Sequence, residues 1–282
     1  MHLALVIFTL IVIGFWRWQW REAVSCGVYH LAQLVLPVLA FGCLAIAVFS
    51  MATEGLMLGV PIHGGWVARC VVGGITCASL GHLVCLCYQG WQCSQRLQQL
   101  GLVDFCGAQA RLLPIDLPFA AQVGFWRSQL VVSAGLLGQL SPAQLQAVFY
   151  HEQAHALNHD CFWFLGLGWL RQITSWLPYT GAIWQKLLLE RELQADRYAC
   201  RFVEPLTLAE ALVQVVSYRG SELSPLAQAG GSDRLEVRIE QLLCLPEDAD
   251  LEIRQPDFSW LYVLLVLLSA ALPLGWIPLH QI

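Results

Sequence analysis

Four long apolar segments constrain the fold more than any other feature of the sequence. They are Leu3–Trp16, Leu31–Ala52, Trp66–Tyr88 and Trp260–Ile277. A helix needs about 20 apolar residues to cross the roughly 30 Å hydrocarbon layer of a bilayer. Charged residues make up only 12% of the 282-residue chain, about half the share in ordinary globular proteins. We therefore predict a mainly α-helical integral membrane protein with about four transmembrane helices.

The charge balance and the cysteines exclude other classes of protein. The net charge is −5, so the chain lacks the basic surface that phosphate backbones require, and we expect no direct nucleic-acid binding. The 11 cysteines imply no disulfide framework, because their number is odd and several lie inside apolar runs. Cys85, Cys87 and Cys93 could form a metal cluster, but they lack the usual second pair, and packing is the alternative that we favour.

Arginine positions predict the orientation in the cell membrane. Arg17 and Arg21 follow the first segment, whereas the Thr53–Gly65 connection holds no Lys or Arg. Arg96 follows the third segment and Arg254 precedes the fourth. The positive-inside rule then places both termini outside and the central stretch in the cytoplasm. We expect three transmembrane helices in residues 1–90, a cytoplasmic domain in 91–256 and a last transmembrane helix in 257–282.

Three polar residues lie inside the predicted spans. His30 and Arg69 are near span ends, where we expect their polar groups to reach the membrane surface. His82 is deeper, and a hydrogen bond between helices is the expected explanation.

The central stretch begins with strand-like sequence and continues as a helix. Leu112–Leu117 and Gly124–Ser133 have the composition of strands. Ser141 and Gln144 then form a capping-box pattern, with a proline at the first helical position. The predicted helix runs into His151-Glu152-Gln153-Ala154-His155.

This pentapeptide has the HExxH pattern of a catalytic metal site. Residues four apart share one face of a helix, so His151 and His155 can bind the same ion, and Glu152 lies beside them to hold a water molecule. Zinc is the expected metal, at one ion per chain, because two histidines, a carboxylate and an open position form its hydrolytic arrangement.

Several residues could supply the third ligand. His159 lies about 12 Å along the helix from His151, which is far for one ion, and Asp160 is rotated away from the histidine face. A second predicted helix, Trp184–Val203, carries Glu192 and Asp196 on one face. One of these two carboxylates can bind the metal while the other accepts a hydrogen bond from a ligand histidine.

These motifs resemble the membrane-embedded gluzincin metalloproteases. The similarity runs from about Arg111 to Leu243 and is closest to the family of the β-lactam-sensing signal transducers and their short relatives; the heat-shock membrane protease and CAAX prenyl endopeptidase family is more distant. It rests on HExxH, on Glu192-x-x-Ala-Asp196, on Gly135-Leu136-Leu137 and on Arg238-Ile239-Glu240-Gln241-Leu242-Leu243. The resemblance implies an α+β zincin-like domain.

The resemblance also implies roles for individual residues. His151, His155 and Glu192 would be zinc ligands, Glu152 the catalytic residue and Asp196 a hydrogen-bond partner of a ligand. No penicillin-binding domain follows the last predicted span, so direct sensing of β-lactams is not expected. The late histidine that stabilises the oxyanion in some relatives is missing. Tyr198 and Arg238 are candidates for that role, with structural contacts as the alternative for each.

Together these features predict a membrane-bound zinc endopeptidase that cleaves a cytoplasmic or membrane-proximal protein, for which a transcriptional repressor is one candidate. The alternatives are a quality-control protease and a transducer in which zinc only supports a conformation. Leu130–Ser133 is expected to pair with a substrate strand. The apolar stretch 161–177 is expected to contact the bilayer, with packing in the protein core as the alternative.

Overall fold

The computed structural model divides the chain into two compact units. Unit 1 comprises Met1–Leu86, Leu167–Leu187 and Arg254–Ile282, and unit 2 comprises Cys87–Gly166 and Leu188–Ile253. The structure describes residues 2–18, 27–51, 55–57, 60–62, 65–124, 128–219, 225–244, 270–271, 273–274 and 280–281.

Unit 1 is built from apolar helices. Helices α1 (His2–Trp18) and α2 (Gly27–Ser50) precede α3 (Gly65–Gln98), whose first two thirds belong to this unit. Among the described residues, two helical segments, Tyr29–Ser50 and Gly65–Gln98, are long and apolar enough to cross a membrane, and Ala4–Trp18 is a shorter apolar helix. Four spans are therefore not shown.

Several predicted membrane features lie outside the described residues. Of the predicted fourth span, 260–277, only residues 270, 271, 273 and 274 are described, and Arg21 and Arg254 are outside entirely. Part of the connection between the second and third segments is present as strands β1 (Gly55–Met57) and β2 (Val60–Ile62). These strands form a small antiparallel sheet with the two-residue strand His280–Gln281.

A buried arginine donates a hydrogen bond to a backbone carbonyl of α2 that has no donor within the helix. Pro37 lies inside the helix and has no N–H to donate to the carbonyl of Gln33. The guanidinium of Arg17, from α1, donates to that carbonyl at 2.6 Å and also to the hydroxyl of Thr180, the first residue of α7 (Thr180–Ala199). The Arg17 side chain is fully buried. One side chain therefore joins three helices of unit 1.

The polar residues of the predicted spans have different surroundings. The guanidinium of Arg69 donates to the carbonyls of Val48, Phe49 and Met51, at the C-terminal end of α2 and of the predicted second span. His30 differs from expectation, because its side chain is fully buried and does not reach the surface. His82 Nε2 is buried without a hydrogen-bond partner among the described residues.

Unit 2 contains a four-stranded sheet in the order β3-β4-β6-β5. Its strands are β3 (Leu102–Phe105), β4 (Ala108–Leu113), β5 (Ala120–Val123) and β6 (Gln129–Ser133). β4 and β6 are parallel, whereas the other pairs are antiparallel. Cys106 and Gly107, both at positive φ, form the tight turn between β3 and β4.

The observed strands correct the predicted ones. The first predicted run lies mostly after β4, and the second is divided, since β6 begins only at Gln129 and residues 125–127 are not described. Leu130–Ser133 lies in β6, which pairs with a strand on each side. It therefore cannot accept a substrate strand, and the edge strand beside it is β5.

Helices cover the sheet of unit 2. After the short α4 (Ala134–Gln139), α5 (Pro142–Leu157) begins with the predicted capping box, which is confirmed. It is followed by α6 (Asp160–Ile173), α7, α8 (Pro205–Arg219) and α9 (Pro225–Leu243). Leu130 and Val132 of β6 share a buried cluster with Val148 of α5 and Ala211 of α8. This packing holds α5 against the sheet.

Candidate active site

Two helices bring three potential ligand atoms together. His151 and His155 lie one turn apart on α5, with their Nε2 atoms 3.1 Å from each other. Glu192 of α7 places its Oε2 3.5 Å from His151 Nε2. Among the described residues this is the one group of three or more His, Cys, Asp or Glu side chains that could hold a metal ion. The cysteines of α3 form no such group.

The separations fit a zinc ion. Bonds of about 2.0–2.1 Å to a tetrahedral ion place neighbouring ligand atoms about 3.3–3.4 Å apart. The two separations of 3.1 and 3.5 Å lie on either side of that value. All three ligand atoms lie within 4.8 Å of one another. His151, His155 and Glu192 can thus hold one zinc ion and leave its fourth position for a water molecule or a substrate.

A carboxylate orients each of the two histidines. Asp196 Oδ1 lies 2.9 Å from His151 Nδ1, as the spacing of Glu192 and Asp196 predicts. Asp160 Oδ2 lies 2.7 Å from His155 Nδ1. With Nδ1 occupied, each ring presents Nε2 to the centre of the site.

The contact of Asp160 corrects the sequence analysis, which placed this residue away from the histidines. That reasoning extended α5 through residue 160, whereas α5 ends at Leu157 and α6 starts at Asp160. Between the helices, His159 has a φ of 53° and reverses the chain, so Asp160 comes back towards His155. His159 itself is exposed and is not part of the ligand group.

Arg238 of α9 binds the carboxylates on α7. Its Nε and Nη2 donate to the two oxygens of Asp196, both at 2.7 Å, and its Nη1 lies 2.8 Å from Glu192 Oε2. A fork of this kind gives a strong and well-oriented pair. The guanidinium therefore orients both Glu192, the potential ligand, and Asp196, which contacts His151.

These contacts shift the pKa values of the site. Burial opposes the charge on His151, yet hydrogen bonds with Asp196 and Glu192 raise its pKa to about 9. Burial likewise disfavours the charged form of Glu192, but His151 and Arg238 lower its pKa to about 2. The pKa of Asp196 is also lowered, by hydrogen bonds from Arg238 and His151 against the effect of burial. The carboxylates of Asp196 and Glu192 create a negative potential that favours a proton on His151, and the same potential attracts a metal cation.

Glu152 faces the edge of the sheet. The backbone N–H of Gln122 in β5 donates to Glu152 Oε2 at 2.9 Å. The Cys161 thiol donates to the carbonyl of the same Gln122 at 3.1 Å. The sequence did not predict β5, because its four residues show no clear alternation of apolar and polar side chains. Nor does such a short segment indicate whether it will lie at the edge of a sheet.

A cavity of about 520 Å³ adjoins these residues. Its wall contains the three potential ligands, Glu152, part of β5 and the side chain of Arg238. Most of the remaining wall is apolar and includes Leu136, Val148, Phe164, Leu188 and Leu208.

The two candidates for stabilising an oxyanion have different surroundings. Arg238 lines the cavity, but its N–H groups point to Asp196 and Glu192. The Tyr198 hydroxyl donates to Gln153 Oε1 at 3.3 Å, its ring lies against Phe202, and it is not among the residues lining the cavity.

Comparison with known families agrees with this geometry. A sequence profile of peptidase family M48 matches residues 118–192, from two residues before β5 to the third potential ligand. The match supports a protease of a zinc metallopeptidase family and covers about a quarter of the chain. Comparisons with curated proteins and with solved structures gave no significant match.

Proposed function

We propose that the protein is a membrane-bound endopeptidase with one catalytic zinc ion, held by His151, His155 and Glu192. The observation that carries the proposal is the convergence of these three ligand atoms beside Glu152, in a cavity edged by a sheet strand. A structural zinc site usually has four protein ligands, whereas the group here has three.

Each residue of the site has a separate role in the proposed hydrolysis. Zinc, when bound, supplies Lewis acidity at the position where the scissile carbonyl lies. Glu152 takes a proton from the attacking water molecule and later passes it to the leaving amine. Asp196 and Asp160 hold the two imidazole rings in the orientation that binding requires. Arg238 positions Glu192 and Asp196.

Substrate binding is assigned to β5. In the part of the chain that the structure describes, this strand pairs with β6 on one side only, so its outer edge can accept an extended peptide. On this edge the Gln122 N–H contacts Glu152 and the Gln122 carbonyl contacts Cys161. A peptide that pairs with Gln122 would replace these contacts and would therefore lie next to the catalytic carboxylate. The apolar wall of the cavity suits apolar substrate side chains.

The membrane arrangement is part of the proposal. Unit 1 would lie in the plasma membrane with four spans and both termini outside, and unit 2 would lie in the cytoplasm. The two long apolar helices and the positions of the arginines support this arrangement. Residues Leu167–Leu187 group with the apolar helices, and Trp169 donates to the carbonyl of Ser79 in α3. We therefore expect the 161–177 stretch to dock at the bilayer.

The sequence resemblance suggests the kind of substrate. It favours the protease core of the β-lactam-sensing transducers, for which regulatory cleavage of a cytoplasmic repressor is the corresponding activity. Quality control of membrane proteins is the second candidate, since it needs the same site and the same closeness to the bilayer.

One comparison of variants tests the proposal. Full-length protein is expressed as wild type, Glu152→Gln or Glu192→Ala, with Glu190→Ala as a matched control on the same helix. Wild type and control should bind about one zinc ion per chain. Proteomics of the expressing cells should detect the same cleavage fragments with both. Glu152→Gln should bind zinc without producing fragments, and Glu192→Ala should lose both properties.

The same comparison separates the peptidase from the transducer. If zinc only supports a conformation, Glu152→Gln behaves like the wild type in every readout, since a structural ion needs no general base. Full zinc occupancy in Glu192→Ala would assign the third ligand elsewhere.

A further inference from the structure

Unit 1 contains an apolar cavity of about 260 Å³, distinct from the active-site cavity of unit 2. Helices α1, α2 and α3 and the end of α6 each contribute to its wall, with Ile13, Phe41, Ile75 and Ile173 among the side chains. Pro37 of α2 also lines it. Empty cavities with apolar walls stay dry and bind apolar molecules.

The wall offers little to a polar ligand. None of its side chains is ionisable. The Thr174 hydroxyl donates to the Leu170 carbonyl at 2.7 Å, and the Thr174 carbonyl accepts a hydrogen bond from Thr180. The carbonyl of Ser79 accepts the indole N–H of Trp169. A charged group inside the cavity would lose its hydration without gaining a partner of opposite charge.

The cavity reaches the surface at two of its lining residues. Ile75 of α3 is 46% exposed and Trp176 is 61% exposed, whereas Ile13, Pro37 and Thr174 are buried. The surface of α3 around Ile75 is apolar and exposed, with Val67, Val71, Leu80 and Val84 at 40–68%. Since α3 can span a bilayer, lipid chains are the molecules that meet this opening.

We propose that this cavity binds one acyl chain of a bilayer phospholipid. Its volume lies just below the range of about 300–1,000 Å³ typical of sites for drug-sized ligands, which suits a single chain. The uncharged wall leaves the head group outside, at the membrane surface. This inference rests on the membrane location proposed for unit 1 and does not depend on the peptidase activity proposed for unit 2.

Photo-crosslinking with a matched pair of variants tests this assignment. The full-length protein is placed in phosphatidylcholine vesicles that contain a phosphatidylcholine with a diazirine near the end of one acyl chain. Ile75→Trp blocks the opening, while Val71→Trp adds the same bulk one turn away, at a residue that is exposed but does not line the cavity. Adducts on Ile173 and Trp176 should fall about tenfold in Ile75→Trp and remain unchanged in Val71→Trp.

Two results would overturn the proposal. Equal labelling of Ile173 and Trp176 in both variants would mean that the probe reacts with them only from the surrounding bilayer. Suppression of labelling by unlabelled fatty acid added before irradiation, with no change when the proportion of unlabelled phosphatidylcholine is raised, would assign the cavity to a free fatty acid. Fluorescence-detected size exclusion and unchanged zinc content establish that both variants are folded.

Discussion

At the scale of single residues, the site depends on carboxylates that do not contact the metal position. Asp196 and Asp160 each occupy the Nδ1 side of one histidine, at 2.9 and 2.7 Å. Both are almost fully buried, so neither is a surface charge that happens to lie nearby. Their spacing from HExxH differs completely, since one lies five residues after His155 and the other lies on a separate helix.

Asp160→Asn should weaken zinc binding by about 10–100-fold, because the imidazole of His155 loses the partner that fixes its orientation and raises its basicity. Competition with a chromophoric chelator measures the affinity. Asp116→Asn is the control, since Asp116 is an exposed carboxylate in the same unit. Equal affinity in the two variants would show that the contact between Asp160 and His155 does not support the metal site.

At the scale of the elements, β5 and α4 are held in place by specific backbone contacts. β5 meets Glu152 through the N–H of Gln122, a group that points away from its strand partner β6. Ser133 caps the N-terminus of α4, because its side chain accepts the N–H of Leu136. The second residue of that helix, Gly135, lies against the backbone of Asp116.

Replacing Gln122 by proline removes the N–H that Glu152 accepts. The outer edge of an edge strand tolerates proline, so the variant should fold and bind zinc. Hydrogen bonds to charged groups contribute about 1.5–3 kcal/mol, and the expected loss of peptidase activity is about 10–100-fold. Gln122→Ala keeps the N–H and should retain activity. Full activity of the proline variant would remove β5 from the proposed mechanism.

Gly135→Ala should destabilise unit 2, because the added Cβ would lie 1.9 Å from the Asp116 carbonyl oxygen. Overpacking of this kind costs about 1–3 kcal/mol and should lower the melting temperature by several degrees. Gly138→Ala on the same helix is the control, because nothing lies within 4 Å of its Cβ. Thermal unfolding in detergent should leave that control unchanged or slightly more stable; equal melting temperatures would contradict the steric argument.

At the scale of the whole molecule, the apolar helices and the metal site belong to separate compact units of one chain. Both α6 and α7 contribute residues to each unit, and α7 carries Ile183 and Leu187 in unit 1 and Glu192 and Asp196 in unit 2. The candidate metal site therefore cannot be separated from unit 1 by cutting the chain at a single point.

The proposed topology predicts which cysteines an impermeant thiol reagent can reach in intact cells. A cysteine introduced in the Thr53–Gly65 connection should react, because that connection is expected outside. The native Cys106, exposed in the turn between β3 and β4, should react only after permeabilisation, as should a cysteine introduced near Glu247, which lies outside the described residues. The opposite pattern would reverse the orientation.

The sequence alone determined the features that depend on neighbours along the chain. Apolar runs reveal helices that can enter a bilayer, and Ser141 and Gln144 mark the start of α5 because a capping box closes within one turn. The four-residue spacing of His151 and His155, like that of Glu192 and Asp196, is sufficient to place each pair on one helix face. The proposed ligands could therefore be identified from the sequence alone.

Only the tertiary structure decided how separate segments meet. The reversal at His159 returns Asp160 to His155, α9 carries Arg238 to Glu192 and Asp196, and the strand order leaves β5 rather than Leu130–Ser133 at the edge. Each result depends on where a segment lies after the chain turns. Local periodicity sets which side chains share a face, but the energy of packing one element on another selects the partner that this face will meet.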